Sequence, residues 1–166
     1  MLAAKPAPTT PLEALLGKTR DALPHALCTD PHGLAKLRTD STNGHSVELW
    51  RCHGFKSAFG DDSALTLYIE DGRVALAMVT AGTSDATQAQ SSFDALAAKL
   101  HKLTCVKREE HELSVAVQDC TDGPKFEVLT HVTMTDPNQP DGHRHGLVLQ
   151  ATTDPATAQR LGKLFH

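Results

Sequence analysis

Aromatic residues are scarce in this chain: one Trp, one Tyr and five Phe stand among 166 residues. A core with so few rings has to rest on Leu, Val and Ala. No apolar run approaches the ~20 residues that a membrane-spanning helix needs, so no membrane span is expected. No charged n-region leads into an apolar h-region, so no intact signal peptide is expected either. Neither sign of charge dominates. The net charge is −4, and acidic and basic residues are interspersed. Phosphate binding wants a concentrated basic surface, so nucleic acid is not an expected partner.

Reaction motifs are missing as well. No serine stands in G-x-S-x-G. The glycines of Asp71-Gly72, Ala81-Gly82 and Asp122-Gly123 are single turn residues and not a phosphate cradle. The carboxylate pairs Asp61-Asp62 and Glu109-Glu110 sit in polar stretches without a glycosidase pattern. The chain is therefore expected to act without catalysis and without a cofactor.

Four cysteines are present: Cys28, Cys52, Cys105 and Cys120. None forms C-x-x-C, and their spacings fit neither a zinc ribbon nor a redox motif. An even count suggests two disulfides and an oxidising compartment, periplasmic or secreted. Four buried free thiols in a cytosolic protein are the alternative. Residues 1–9 are small, Pro-rich and without periodicity, and read as the flexible start of an exported protein.

The pattern predicts a first helix from Thr10. Thr10 caps it, Pro11 takes its first position, Glu13 completes a capping box, and Leu12, Leu15, Leu16, Thr19 and Leu23 share a face. His25–Thr29 reads as a short strand, Leu34–Leu37 is ambiguous, and Thr39–His45 reads as a loop. Alternation marks strands at Ser46–His53, Ala64–Glu70 and Arg73–Thr80, with an Asp71-Gly72 hairpin turn. Gly54–Ser63 reads as a polar loop. A helix with Phe93, Leu96, Ala97 and Leu100 on its buried stripe follows. Strands are then expected near Leu103–Arg108, Leu113–Cys120, Phe126–Met134 and Leu147–Ala151, and a closing helix from Asp154-Pro155.

The two halves match in order. Residues 10–100 and 101–166 read as two repeats within one compact domain: each has a short Cys-bearing strand, preceded by a helix (the second copy's helix ends near Leu100), and three longer strands, with a closing helix after the last. The expected fold is α+β: a duplicated α-β-β-β-β unit with a closing helix, its helices packed on one face of antiparallel sheet whose other face is solvated. The same alignment pairs Cys28 with Cys52 and Cys105 with Cys120.

Two groups of residues are candidate sites. Trp50, Phe55, Phe59 and Tyr68 cluster in the first half beside Arg51, Lys56, Asp61 and Asp62. Aromatic anchors near charge are the usual material of interface hot spots; the alternative is that Trp50 and Phe55 are core. His131, His143 and His145 could converge on Zn²⁺ or Cu²⁺, against the alternative of a polar loop rich in exposed His. Together these features point to an exported protein-binding protein of the bacterial inhibitor or immunity class, its partner a toxin or enzyme. A second copy of the chain is a further allowed partner. A metal-binding protein or hydrolase using the histidine group, and an envelope chaperone or assembly factor, are the alternatives.

Overall fold

The computed structural model describes residues 12–24, 26–31, 33–42, 44–57, 60–83, 86–99, 103–110, 115–122, 126–135, 137–139, 142–152 and 154–164. Two 3-10 turns, Leu12–Leu15 and Arg20–Ala22, come first. Strands β1 (Ala35–Thr42), β2 (His45–Ser57), β3 (Gly60–Glu70) and β4 (Arg73–Thr83) follow as a meander. Helix α1 (Ala86–Lys99) leads to a second meander, β5 (Leu103–Glu110), β6 (Val115–Asp122), β7 (Phe126–Thr135) and β8 (His143–Thr152), and α2 (Pro155–Leu164) ends the order. All eight strands join one antiparallel sheet in the order β1-β2-β3-β4-β8-β7-β6-β5. The halves meet where β4 pairs β8, with Val79 opposite Leu149 and Ala77 opposite Ala151.

This corrects the expected fold class. The chain is one antiparallel sheet, not a duplicated helix-led unit, and no α-helix among the described residues precedes β1. The first helix fails at Gly17, whose φ of +76° leaves the helical region. Gly17 N–H instead donates to Val74 O at 2.8 Å, and Lys18 O accepts from Val74 N–H at 3.0 Å. The leucines still bury, but from separate turns: Leu12, Leu15, Leu23 and Leu27 are all in the core. Thr10 and Pro11 lie outside the described residues.

Helices do not gather on one face either. On one side of β3 and β4, residues 12–30 run as a strap over Leu65, Leu67, Ile69, Val74, Ala77 and Val79. On the other, Leu161 of α2 packs on Val47, Tyr68 and Leu76. Ser63 through Ile69 are consequently all buried. The expected solvated face is absent from β3: its alternation separates two cores. Burying one leucine contributes roughly 1.5–3 kcal/mol, so the four strap leucines account for a large share of what holds residues 12–30 down.

Other differences have local causes. β2 runs on to Ser57 where a loop was expected, because bulges at His53/Phe55 and Phe55/Ser57 break the alternation. Gly54 takes φ +77° there. β1 carries no period-2 signal because it is an edge strand whose residues 35–41 are all exposed. The Asp71-Gly72 turn forms as expected: φ is +50° and +83° at the two residues, and Glu70 pairs Arg73. α2 starts at Asp154, whose Oδ1 accepts from Ala156 N–H and Oδ2 from the Thr157 hydroxyl, both at 3.1 Å.

Candidate functional site

The strap is fastened at both ends. Near its start, Thr19 bridges Arg73, and the Arg73 guanidinium donates to Gly17 O at 2.9 Å. At its far end Cys28 bridges Phe55 across the backbone, and Thr29 N–H and Asp30 N–H donate to Gly54 O and His53 O at 3.0 and 3.1 Å. There Cys28 is bonded to Cys52, with a Cα–Cα distance of 6.0 Å. Cys52 is buried in the core beneath the strap. In the second meander the β5–β6 register sets Cys105 opposite Cys120.

Between these fastenings the strap carries Arg20 over the ring of Trp50, with Cζ 4.9 Å from the ring centroid. Trp50 is half-buried, its body packed against the core. Arg20 Nε and Trp50 Nε1 are both shielded from solvent and have no acceptor among the described residues. Lys36 of β1 stands opposite Trp50 in the register. It forms an ion pair with Glu48 at 3.4 Å, one step along the same face. Leu37, left over by the β1 bulge, is 53% exposed. Arg51 is exposed as well, but as the next residue along β2 it points to the face opposite Trp50. Arg20, Lys36 and Trp50 make a small patch of aromatic and cationic groups on a cross-linked support.

Of the described aromatics expected to bind a partner, only Trp50 keeps surface. Phe55 is buried under the strap and Tyr68 in the opposite core, where burial raises its phenol pKa. Phe59 lies outside the described residues, as do the side chains of Lys56, Asp61 and Asp62. Arg20 and Leu37 were not expected to matter. The leucine stripe puts Arg20 in a helix, and no sequence signal ties it to Trp50, thirty positions away.

The histidine group is brought only partly into view. The register sets His145 opposite Thr133, His143 opposite Thr135 and His131 opposite Leu147. The side chains of His131 and His143 lie outside the described residues. His145 is buried and lines an open groove of about 650 Å³ with Ala86, Thr87, Gln90, Ser91 and Asp94 of α1. Asp94 is oriented by Gln90, whose Nε2 donates to Oδ1 at 2.9 Å. Among the described residues no group of three or more His, Cys, Asp or Glu is placed to hold a metal ion.

On α2, Arg160 and Glu70 of β3 form an ion pair at 2.6 Å, and that contact raises the guanidinium pKa. No helix among the described residues is long and apolar enough to cross a membrane. The disulfide is compatible with an oxidising, exported location. No family model matches the chain, and comparisons with curated proteins and with solved structures found no match.

Proposed function

We propose that this is an exported protein-binding protein of the bacterial inhibitor or immunity class, which neutralises a toxin or enzyme by direct contact. The observation that carries the reading is the stack of Arg20 on Trp50. Trp and Arg dominate interface hot spots because each combines a large buried area with a directed donor. Here the Arg20 guanidinium lies over the Trp50 ring, 4.9 Å from its centroid, and both side chains are half-buried, each keeping some surface. The strap that holds Arg20 is covalently fixed, so little ordering remains to be done on binding.

The test takes purified secreted toxins or enzymes encoded beside this gene and measures inhibition and affinity. Arg20→Ala is expected to weaken binding at least tenfold, with circular dichroism and thermal melting confirming that the variant stays folded. Unchanged affinity in Arg20→Ala would remove this surface, and failure to inhibit any neighbour-encoded protein would remove the class.

A second reading has one observation in its favour: Asp94 of α1 and His145 of β8 line the same groove, which gives the histidine group a carboxylate neighbour on another element. Imidazole and carboxylate together suit Zn²⁺. Tight zinc retention in equilibrium dialysis, lost in His145→Ala, would put a metal-binding protein ahead of an inhibitor.

A further inference from the structure

We propose that Cys105 and Cys120 form a second disulfide, and that this bond fixes the register of β5 on β6. With Cys28 bonded to Cys52, these two are the remaining cysteines of the chain. The β5–β6 ladder is antiparallel and unbroken from Leu103, opposite Asp122, to Glu110, opposite Val115, and it sets Cys105 directly opposite Cys120. Directly opposed residues of an antiparallel pair share a face, and their Cα atoms lie about 4.5 or 5.5 Å apart according to the hydrogen-bonding pattern. Both separations fall inside the range of about 4.4–6.8 Å that a disulfide spans. The bond forms by thiol–disulfide exchange. One cysteine thiolate attacks an external disulfide and expels half of it as a thiol; the second cysteine then displaces the other half. Two cysteine thiols give up two protons and two electrons, and the external disulfide takes them up as two thiols. Such a disulfide is the ordinary oxidant of an oxidising compartment.

The place of the bond gives it its role. β5 ends the sheet with β6 as its neighbour, so pairing with β6 sets its register. A slip of one residue would exchange the faces of β5, but a slip of two would keep them. Side-chain pairing does not guard against the second slip. The observed register sets Thr104 against Thr121, a favourable pair. It also sets Leu103 against Asp122, Val106 against Asp119 and Arg108 against Val117, an apolar residue against a charged one each time. A slip of two in one direction would set Val106 against Val117. In the other direction it would set Arg108 against Asp119, an unlike-charge pair. Only the observed register sets the two cysteines against each other. β5 and β1 are the two ends of the sheet, so this inference stands or falls independently of the surface proposed around Arg20 and Trp50.

Tryptic mapping of the unreduced full chain, prepared under oxidising conditions, tests the bond, because trypsin cuts between the two cysteines after Lys107 and Arg108. The expected result is Leu103–Lys107 joined to Glu109–Lys125, the two separating on reduction. Alkylation of Cys105 and Cys120 in the unreduced, denatured chain would overturn the proposal, as would a link from either to Cys28 or Cys52. NMR on Cys105→Ser/Cys120→Ser, with circular dichroism as the control for folding, tests the register. Cross-strand contacts of the observed register, such as Val106 with Asp119, should weaken, and contacts of a register slipped by two should appear beside them. A variant that shows the observed contacts alone and undiminished would overturn the role in register. So would the loss of all β5–β6 contacts, since the bond would then hold the strand on without choosing its position.

Discussion

Removing the Cys28–Cys52 bond should cost this protein about 3.4 kcal/mol. The bond closes a loop with a sequence separation of 24. The chain-entropy relation converts that loop to about 11.6 cal/mol/K of lost denatured-state freedom, or ~3.4 kcal/mol at 25 °C. For 166 residues, an unfolding entropy of ~2.1 cal/mol/K per residue turns this into a fall in melting temperature of about 10 °C. Cys28→Ala is the cleaner perturbation, because it leaves the buried Cys52 side chain in place beneath the strap. Cys52→Ala should cost the same amount plus a packing loss in the core. Urea unfolding of wild type and both variants gives the free energies. Amide exchange gives the location: Thr29 N–H and Asp30 N–H, bonded to Gly54 O and His53 O, should exchange faster in Cys28→Ala, while Gly17 N–H, bonded to Val74 O at the other fastening, should change less. A Cys28→Ala variant within 1 kcal/mol of wild type would refute the argument. So would a loss confined to Cys52→Ala, which would make packing and not the cross-link responsible.

Gly54→Ala should lower stability by roughly 2–4 kcal/mol: an L residue is strained at φ +77°, and a Cβ there would run into the Thr29 side chain and lie 3.2 Å from Thr29 N. The measurement is the shift of the urea midpoint at constant slope. Asp71 should contribute an acid-labile increment. Its pKa is held below the usual carboxylate value, first by its hydrogen bond with His45 Nδ1 at 2.5 Å and then by Ser46 N–H. A depressed folded-state pKa means that the increment is present above the unfolded value near 3.9 and is lost as pH falls through the folded one. Asp71→Asn tolerates the positive φ and should flatten the stability–pH curve below about pH 4, which denaturant titrations from pH 2 to 6 would show.

Much of the strand order was legible because alternation and turn chemistry agreed. β4, β7, α1 and α2 fall near where their patterns put them, and Asp71-Gly72 makes the turn that the pair dictates. The Cys28–Cys52 bond forms as expected, although the expectation rested on a duplication of the halves that the fold does not bear out. The strap was not legible. A helical stripe of leucines is also what two 3-10 turns display when a single glycine between them turns the chain, and the stripe outweighed Gly17 in the pattern. β1 was invisible for the opposite reason. An edge strand with both faces wet needs no apolar residue, so nothing alternates. The candidate site was harder still. Alternation says which side chains share a face, but not whether that face is covered. Alternation puts Tyr68 on the outward face and leaves Phe55 open between surface and core; the layers that cover them are α2 and the strap.

The strap also explains why a cross-link sits where it does. A helix laid on the sheet would order itself cooperatively through its own hydrogen bonds. Two 3-10 turns of four and three residues have little such internal stability. Their order has to come from the leucines they bury and from the ends that hold them. One end is held by backbone pairing with β4 at Arg73 and Val74. The other has only a short bridge to β2, just past the last residues that β1 pairs, and there the covalent bond is placed. The shortage of rings adds to this, since small aliphatic contacts must do what a few large side chains would otherwise do. Arg20 rides on the segment between the two fastenings, so the geometry of its stack on Trp50 depends on both of them. The proposed contact surface would be as well defined as its weaker fastening, which would tie the disulfide to recognition as well as to the fold.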